Sequence, residues 1–313
     1  MVNLTKNATV NNETVKENGM KTFIDELFAT VTEKYDGIVT QNEVMKNNQQ
    51  LTGFTFRTTE DQSIAPNVYV NDFYKAYENG TKSIDQIADE MISIANNNMS
   101  PNFGVEVLEL MDWDKVKDKV QPFVICKTGN DGMLKSLVHS DTKTDLAITY
   151  AIVLDNIDGG MATASIRKDI FKQYGITMTE LKKYAFANAM EEMKLQSMST
   201  MLFGSMMGLE DEDDEFVDDH GGMYVLSTKS KTRGAGMVVV PKVLKTVSKK
   251  LNAETFYILP SSIHEVLIIT APIDDVNDLK QMVVEVNATA VATEDKLSDS
   301  VYFYDGKNLT QVA

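Results

Sequence analysis

Residues 223–247 read MYVLSTKSKTRGAGMVVVPKVLKTV, and the parsing of this stretch decides the fold of the 313-residue chain. A β-rich run (MYVLST), a polar turn (KSKTRG) and a second β-like run (AGMVVV) predict a hairpin. The second run leads directly into a helix that opens on Pro241, at the one turn of a helix where a missing N–H costs nothing. Val243, Leu244 and Val247 then fall at i, i+1 and i+4, on one face of that helix.

The same grammar stands twice upstream. Leu51–Tyr77 gives LTGFTF, the polar RTTEDQ and IAPNVYV, and then Phe73, Tyr74 and Tyr77 in the helical register. Ala147–Tyr174 gives AITYAIVL, DNIDGG and MATASI, and then Ile170, Phe171 and Tyr174. A second helix start follows each time. Ser83, Thr177 and Asp275 are candidate N-caps, with Gln86, Glu180 and Asp278 three residues on, the spacing of a capping box. In the third stretch an extra strand pair, 256–259 and 266–270, separates the two helices.

This pattern predicts an α+β fold of three tandem β-hairpin-plus-helix units, with mostly antiparallel sheets and packed helices. The expected division is a flexible N-terminal tail over 1–18, units over 19–100, 101–196 and 222–313, and a Met-rich, acidic linker over 197–221. A helix over 22–35 should carry Phe23, Leu27 and Val31 as its buried stripe. Pro122–Lys127 (PFVICK) reads as a buried strand, and Trp113 as an anchor at the start of a short helix.

Composition bounds function. Thirty basic against 46 acidic residues leave a formal charge of −16. That balance argues against direct nucleic-acid binding, which draws its affinity from cations set against phosphate, although Lys229, Lys231 and Arg233 form a local basic strip. An acidic surface favours basic partners. No apolar run spans a bilayer, and the polar start of the chain has no signal-peptide pattern. One cysteine, Cys126, excludes an internal disulfide framework and fits a reducing cytoplasm.

Catalytic signatures are sparse. The sequence holds no Walker or dinucleotide glycine motif, no HExxH, no CxxC and no GxSxG. No metal or cofactor is implied, and Gly234-Ala235-Gly236 reads as turn chemistry. The strongest local candidate for chemistry is Leu259-Pro260-Ser261-Ser262-Ile263-His264-Glu265-Val266, where His264 beside the Ser261 and Ser262 hydroxyls could act as a general base. Strand alternation would send His264 and Glu265 to opposite faces. The bland alternative is a turn whose polar groups satisfy its own backbone. Interaction candidates are Met206 and Met207 in the Met-rich stretch and Glu210, Asp211, Glu212, Asp213 and Asp214 in the acidic run after it, since methionine suits adaptable contacts.

Four stretches, 51–80 (LTGFTFRTTEDQSIAPNVYVNDFYKAYENG), 223–244, 256–269 (FYILPSSIHEVLII) and 297–305 (LSDSVYFYD), resemble an uncharacterised bacterial family of gut Firmicutes, domain of unknown function 5688. The resemblance covers about residues 35 to 305. It implies a cytoplasmic protein of a bacterium or its mobile elements, and it carries no activity, cofactor or catalytic residue with it. The leading expectation is a non-catalytic interaction or regulatory protein with a protein partner. The alternatives are a hydrolase or transferase with an unfamiliar site at Ser261/His264, and a phage or mobile-element inhibitor that uses its acidic surface.

Overall fold

The computed structural model describes residues 2–60, 62, 65–98, 109–157, 160–201 and 222–313, with 2–17, 155–157 and 160–161 described by backbone alone. The fold is α+β, and every strand register that is defined is antiparallel. The chain divides into two compact units, Met1–Lys46 with Gln50–Val107 and Asn47–Gln49 with Leu108–Ala313, where the sequence pattern had suggested three.

The first unit holds α1 (Val2–Lys34), β1 (Ile38–Lys46), β2 (Gln49–Arg57), β3 (Asn67–Tyr69), α2 (Asn71–Glu78) and α3 (Ile84–Asn97). Its sheet has the order β1-β2-β3, and Gly53, Phe54 and Thr55 oppose Tyr69, Val68 and Asn67. Phe23, Leu27 and Val31 are fully buried against Phe54, Phe56, Ile87 and Met91, as their spacing predicts. The Phe23 ring lies 4.7 Å from that of Tyr77. Ser83 caps α3 with a complete capping box: the Gln86 N–H donates to Ser83 Oγ, and the Ser83 N–H donates to Gln86 Oε1.

The backbone of α1 begins at Val2, within the stretch 1–18 expected as a tail. Residues 2–18 contain neither glycine nor proline. Once the buried stripe anchors 23–31, adding Asn and Thr residues upstream costs only a few tenths of a kcal/mol each, ~0.5 relative to alanine.

In the second unit, α4 (Trp113–Val116) leads into β4 (Val120–Cys126), α5 (Asp131–Ser136), β5 (His139–Asp141), β6 (Leu146–Ile157), β7 (Gly160–Ser165), α6 (Lys168–Tyr174) and α7 (Met178–Glu192). β6 is the spine of a four-stranded sheet. It pairs with β4 on one edge, and with β5 and then β7 along the other. The predicted hairpin of 147–174 is therefore present, and Phe171 and Tyr174 of α6 pack on its core beside Trp113.

Then come β8 (Met193–Ser197), β9 (Met223–Thr228), α8 (Pro241–Lys250), β10 (Phe256–Leu259), β11 (Val266–Ile269), α9 (Val276–Thr289), β12 (Tyr302–Tyr304) and β13 (Leu309–Gln311). They form a six-stranded sheet of order β13-β12-β10-β11-β9-β8, with α8 and α9 packed on it. The central strands are buried on both faces. Phe256, Ile258, Val266 and Ile268 enter one core, with Val243, Leu244 and Val247 of α8. Leu259 and Ile269 enter the other, with Leu279 and Val283 of α9.

The third hairpin is absent. Gly234–Val239 is a 3₁₀ helix rather than a strand. β9 has no edge left for it, because β8 pairs along one side (Leu195 opposite Leu226) and β11 along the other (Val266 opposite Leu226). The buried run Ala235–Val238 instead joins Val124 and Leu146 in the core. Here Gly234 and Gly236 serve close approach rather than turn chemistry. A Cβ on Gly236 would sit 2.0 Å from the Pro122 carbonyl oxygen, and one on Gly234 would sit 2.4 Å from Ser227 Oγ. β8, read as the end of the second unit, is in fact the edge strand beside β9.

Candidate functional site

The turn between β10 and β11, Pro260–Glu265, is tied down residue by residue. Its backbone pairs with 295–298: the Ser298 N–H donates to Pro260 O, the Leu297 N–H to Ser261 O, and the Ile263 N–H to Asp295 O. Ser262 is buried, and its Oγ accepts the backbone N–H of His264 at 2.9 Å. This is a local side-chain-to-backbone bond of the kind that shapes turns.

The His264 ring is engaged at both nitrogens. Nδ1 accepts the backbone N–H of Arg233 at 3.3 Å, and Nε2 lies 3.0 Å from Asp295 Oδ1. An acceptor role at Nδ1 puts the ring proton on Nε2, where it is donated to the carboxylate. The His264 carbonyl oxygen also accepts two bonds, from the Gly234 N–H at 2.8 Å and from Ser227 Oγ at 2.7 Å. Ser261, Ser262 and His264 thus come together in sequence but not as nucleophile and base. The imidazole is a strut between Asp295 and the 228–234 loop, and its nitrogens meet neither serine hydroxyl.

The turn borders one recess of the second unit, and the loop that its imidazole braces borders another. The first is an apolar groove of about 280 Å³, lined by Ser261, Ser262 and Glu265 together with Leu259, Leu267 and, from α9, Met282 and Val286. Met282 is 47% exposed and Val286 37%, large values for apolar side chains. Met198, at the start of the Met-rich stretch, also lines it. The second is a cavity of about 310 Å³ between β4, β6 and the 228–233 loop, into which Arg233 projects. The Arg233 backbone is left-handed (φ 56°, ψ 21°), and its guanidinium carbon lies 5.8 Å from the centre of the Phe123 ring. Burial pushes the guanidinium pKa down, and Asp295 acts on it only at a distance, in the opposite direction.

A cluster of three hydroxyls around one half-buried carboxylate, Asp145, was not foreseen. Asp145 Oδ1 accepts the Tyr302 hydroxyl at 2.5 Å, and Oδ2 accepts Ser298 Oγ at 2.6 Å and Ser300 Oγ at 3.0 Å. The signal in the sequence is alternation: residues 298, 300 and 302 share one face of an extended segment. Burial, with Asp145 next to it, pushes the Tyr302 hydroxyl far above the usual tyrosine range. Cys126 is a free, half-buried cysteine, and burial raises its thiol pKa.

Other sequence candidates fall in ordinary places. Trp113 is buried and donates from Nε1 to Glu180 Oε1 at 3.2 Å. Arg57 donates to Thr40 Oγ1 at 3.2 Å. Met206, Met207 and Glu210–Asp214, like His220, lie outside the described residues. Among the described residues no group of His, Cys, Asp and Glu has the arrangement of a metal site, and no helix is long and apolar enough to cross a membrane.

With this geometry in place, the comparison with family models is specific. Residues 20–306 match the model described as a family of unknown function, DUF5688. The chain belongs to that family. No curated protein and no solved structure matches it.

Proposed function

We propose that this chain is a non-catalytic interaction protein, and that the groove between the 260–265 turn and α9 receives a basic amphipathic segment of a partner protein. The observation that carries this reading is the partly exposed pair Met282 and Val286 on a groove where, among the described lining residues, Glu265 is the one charged side chain. Burying a half-exposed Met and Val contributes on the order of 1 kcal/mol each, the scale of an interface anchor. Methionine adapts its shape to the partner.

The charge around the groove selects the partner's sign. The α9 region presents Asp274, Asp275, Asp278 and Glu285 against Lys280, and the whole chain carries −16. An apolar stripe flanked by lysines or arginines complements that surface, and an acidic stripe is repelled.

The test uses two synthetic helical peptides with the same leucine face, one lysine-rich and one glutamate-rich, titrated onto the full chain. The lysine peptide should bind at least about tenfold more tightly, with affinity falling as salt rises. Met282→Asp with Val286→Asp should weaken that binding even though it adds two negative charges. If the double variant binds the lysine peptide as well as or better than the parent, attraction is to diffuse charge and the groove reading is wrong. Equal binding of both peptides also overturns it.

A further inference from the structure

The Arg233 recess shares no described lining residue with the groove. Its construction is that of a binding site rather than a packing defect. Arginine in the left-handed region costs about 1 kcal/mol, and such strain persists where surrounding bonds over-determine it. Here they do: the Arg233 N–H is held by His264, His264 by Asp295, and the next residue, Gly234, by the His264 carbonyl. The loop is further fixed from within, because Thr228 Oγ1 bonds both Ser230 Oγ and the Thr232 carbonyl.

What this bracing presents is a guanidinium over an aromatic face, in a cavity of about 310 Å³, near the lower end of the range for small-molecule pockets. Among the described residues no carboxylate forms an ion pair with it, although desolvating an arginine is costly without one. The fork geometry of guanidinium matches a carboxylate or phosphate in a bidentate fashion.

The remaining lining narrows the ligand. Among the described lining residues Lys119 and Arg233 are balanced by Asp118 and Glu192, so those walls carry no net formal charge. A polyphosphate or a nucleic-acid backbone would meet two carboxylates. A small molecule with one oxyanion and a hydrogen-bond donor at its other end would meet partners at both.

We propose that the Arg233 cavity binds a small carboxylate metabolite of the amino-acid or hydroxy-acid class, its carboxylate on Arg233 and its ammonium or hydroxyl directed to Glu192 and Asp118. The experiment is calorimetric titration and thermal shift of the full chain with the free α-amino acids, glycolate and lactate, the matching carboxamides, and inorganic phosphate. At least one of the acids should bind saturably with a Kd below about 1 mM, and its carboxamide should bind at least about tenfold more weakly. Arg233→Lys keeps the charge but loses the fork, and should weaken the acid about tenfold. Glu192→Gln should reduce the preference for the ammonium-bearing ligand over glycolate while leaving the fold intact. Absence of saturable binding by every acid, binding of amides equal to that of acids, or inorganic phosphate binding as tightly as the best acid each overturns the assignment. Because Glu192 is partly exposed and outside the core, the second variant keeps the test open if Arg233→Lys folds poorly.

Discussion

Residues 147–174 and residues 223–247 are written in the same pattern of β run, polar turn, β run and amphipathic helix, yet they fold differently. In the first, β7 pairs with β6 over Ala151–Leu154 and the hairpin forms. In the second, the apolar run after the turn winds into a 3₁₀ helix against β4 and never pairs with β9. The difference lies in what else competes for the first strand's edge. β6 has room for β7 on the edge it shares with β5, whereas β9 is flanked along its length by β8 and β11. A hairpin is thus decided by edge occupancy as much as by local pattern. The displaced segment shapes the loop that carries Arg233.

The sharpest break in this comparison is at the glycines. Gly236→Ala places a methyl group 2.0 Å from the Pro122 carbonyl oxygen, and both neighbours are backbone that cannot swing away. We expect a loss of about 3 kcal/mol or more, measured by urea denaturation. Gly175→Ala, after α6 in the stretch that does form a hairpin, meets nothing within 4 Å and has only its left-handed φ of 65° to strain. It should cost about 1 kcal/mol. Equal costs at the two sites would contradict the packing role assigned to Gly236.

Next in size is the clasp that joins the two sheets of the second unit. Asp145→Asn replaces a carboxylate that accepts three hydroxyl donors with an amide whose NH₂ faces one or more of them. Charge-assisted bonds of this kind contribute ~1.5–3 kcal/mol, and we expect about 2–3 kcal/mol in the same denaturation assay. Asp141→Asn, on the exposed end of β5, should change stability by less than about 0.5 kcal/mol.

The smallest effect is the pH dependence that the 147–174 stretch contributes through Tyr174. Burial pushes Tyr174 up to about 12, and its hydroxyl donates to the Leu110 carbonyl at 2.5 Å. The folded state therefore holds this proton after the unfolded chain has released its own near pH 10. Its stabilisation is complete below pH 10 and is lost as the pH rises through about 12. Two units correspond to ~2.7 kcal/mol, and partial exposure reduces that to about 1–2 kcal/mol. Tyr174→Phe should flatten this part of the alkaline stability profile. The matching position of the other stretch, Val247, is apolar and contributes no such slope.

Elements governed by local chemistry were legible in the sequence. The caps Ser83 and Thr177 accept the N–H three residues on, as the box spacing predicts, and Asp275 accepts that of Asn277, two residues on, because a cap reads only the next three residues. The reciprocal half of the box forms at Gln86 but not at Glu180, whose carboxylate accepts the Trp113 indole N–H instead. The stripe Phe23, Leu27, Val31 was legible for the same reason of short range. β8, the 3₁₀ segment and the Asp145 clasp depend on partners 27 to 157 residues away, and no window of sequence contains them. His264 stood out as a polar residue in an apolar setting. Its work as a strut became visible only when the loop that it braces, 31 residues upstream, was placed against it.

The most direct test is a cross-link in a Cys126→Ser background. β9 lies beside β11 with Val225 opposite Leu267, a spacing that suits a disulfide. A hairpin closed through residues 229–234 would instead set Val225 opposite Val238. The structure predicts that Val225→Cys with Leu267→Cys oxidises readily and keeps the parent circular dichroism, while Val225→Cys with Val238→Cys stays reduced. The reverse outcome would restore the third hairpin and remove the frame on which the Arg233 loop is built.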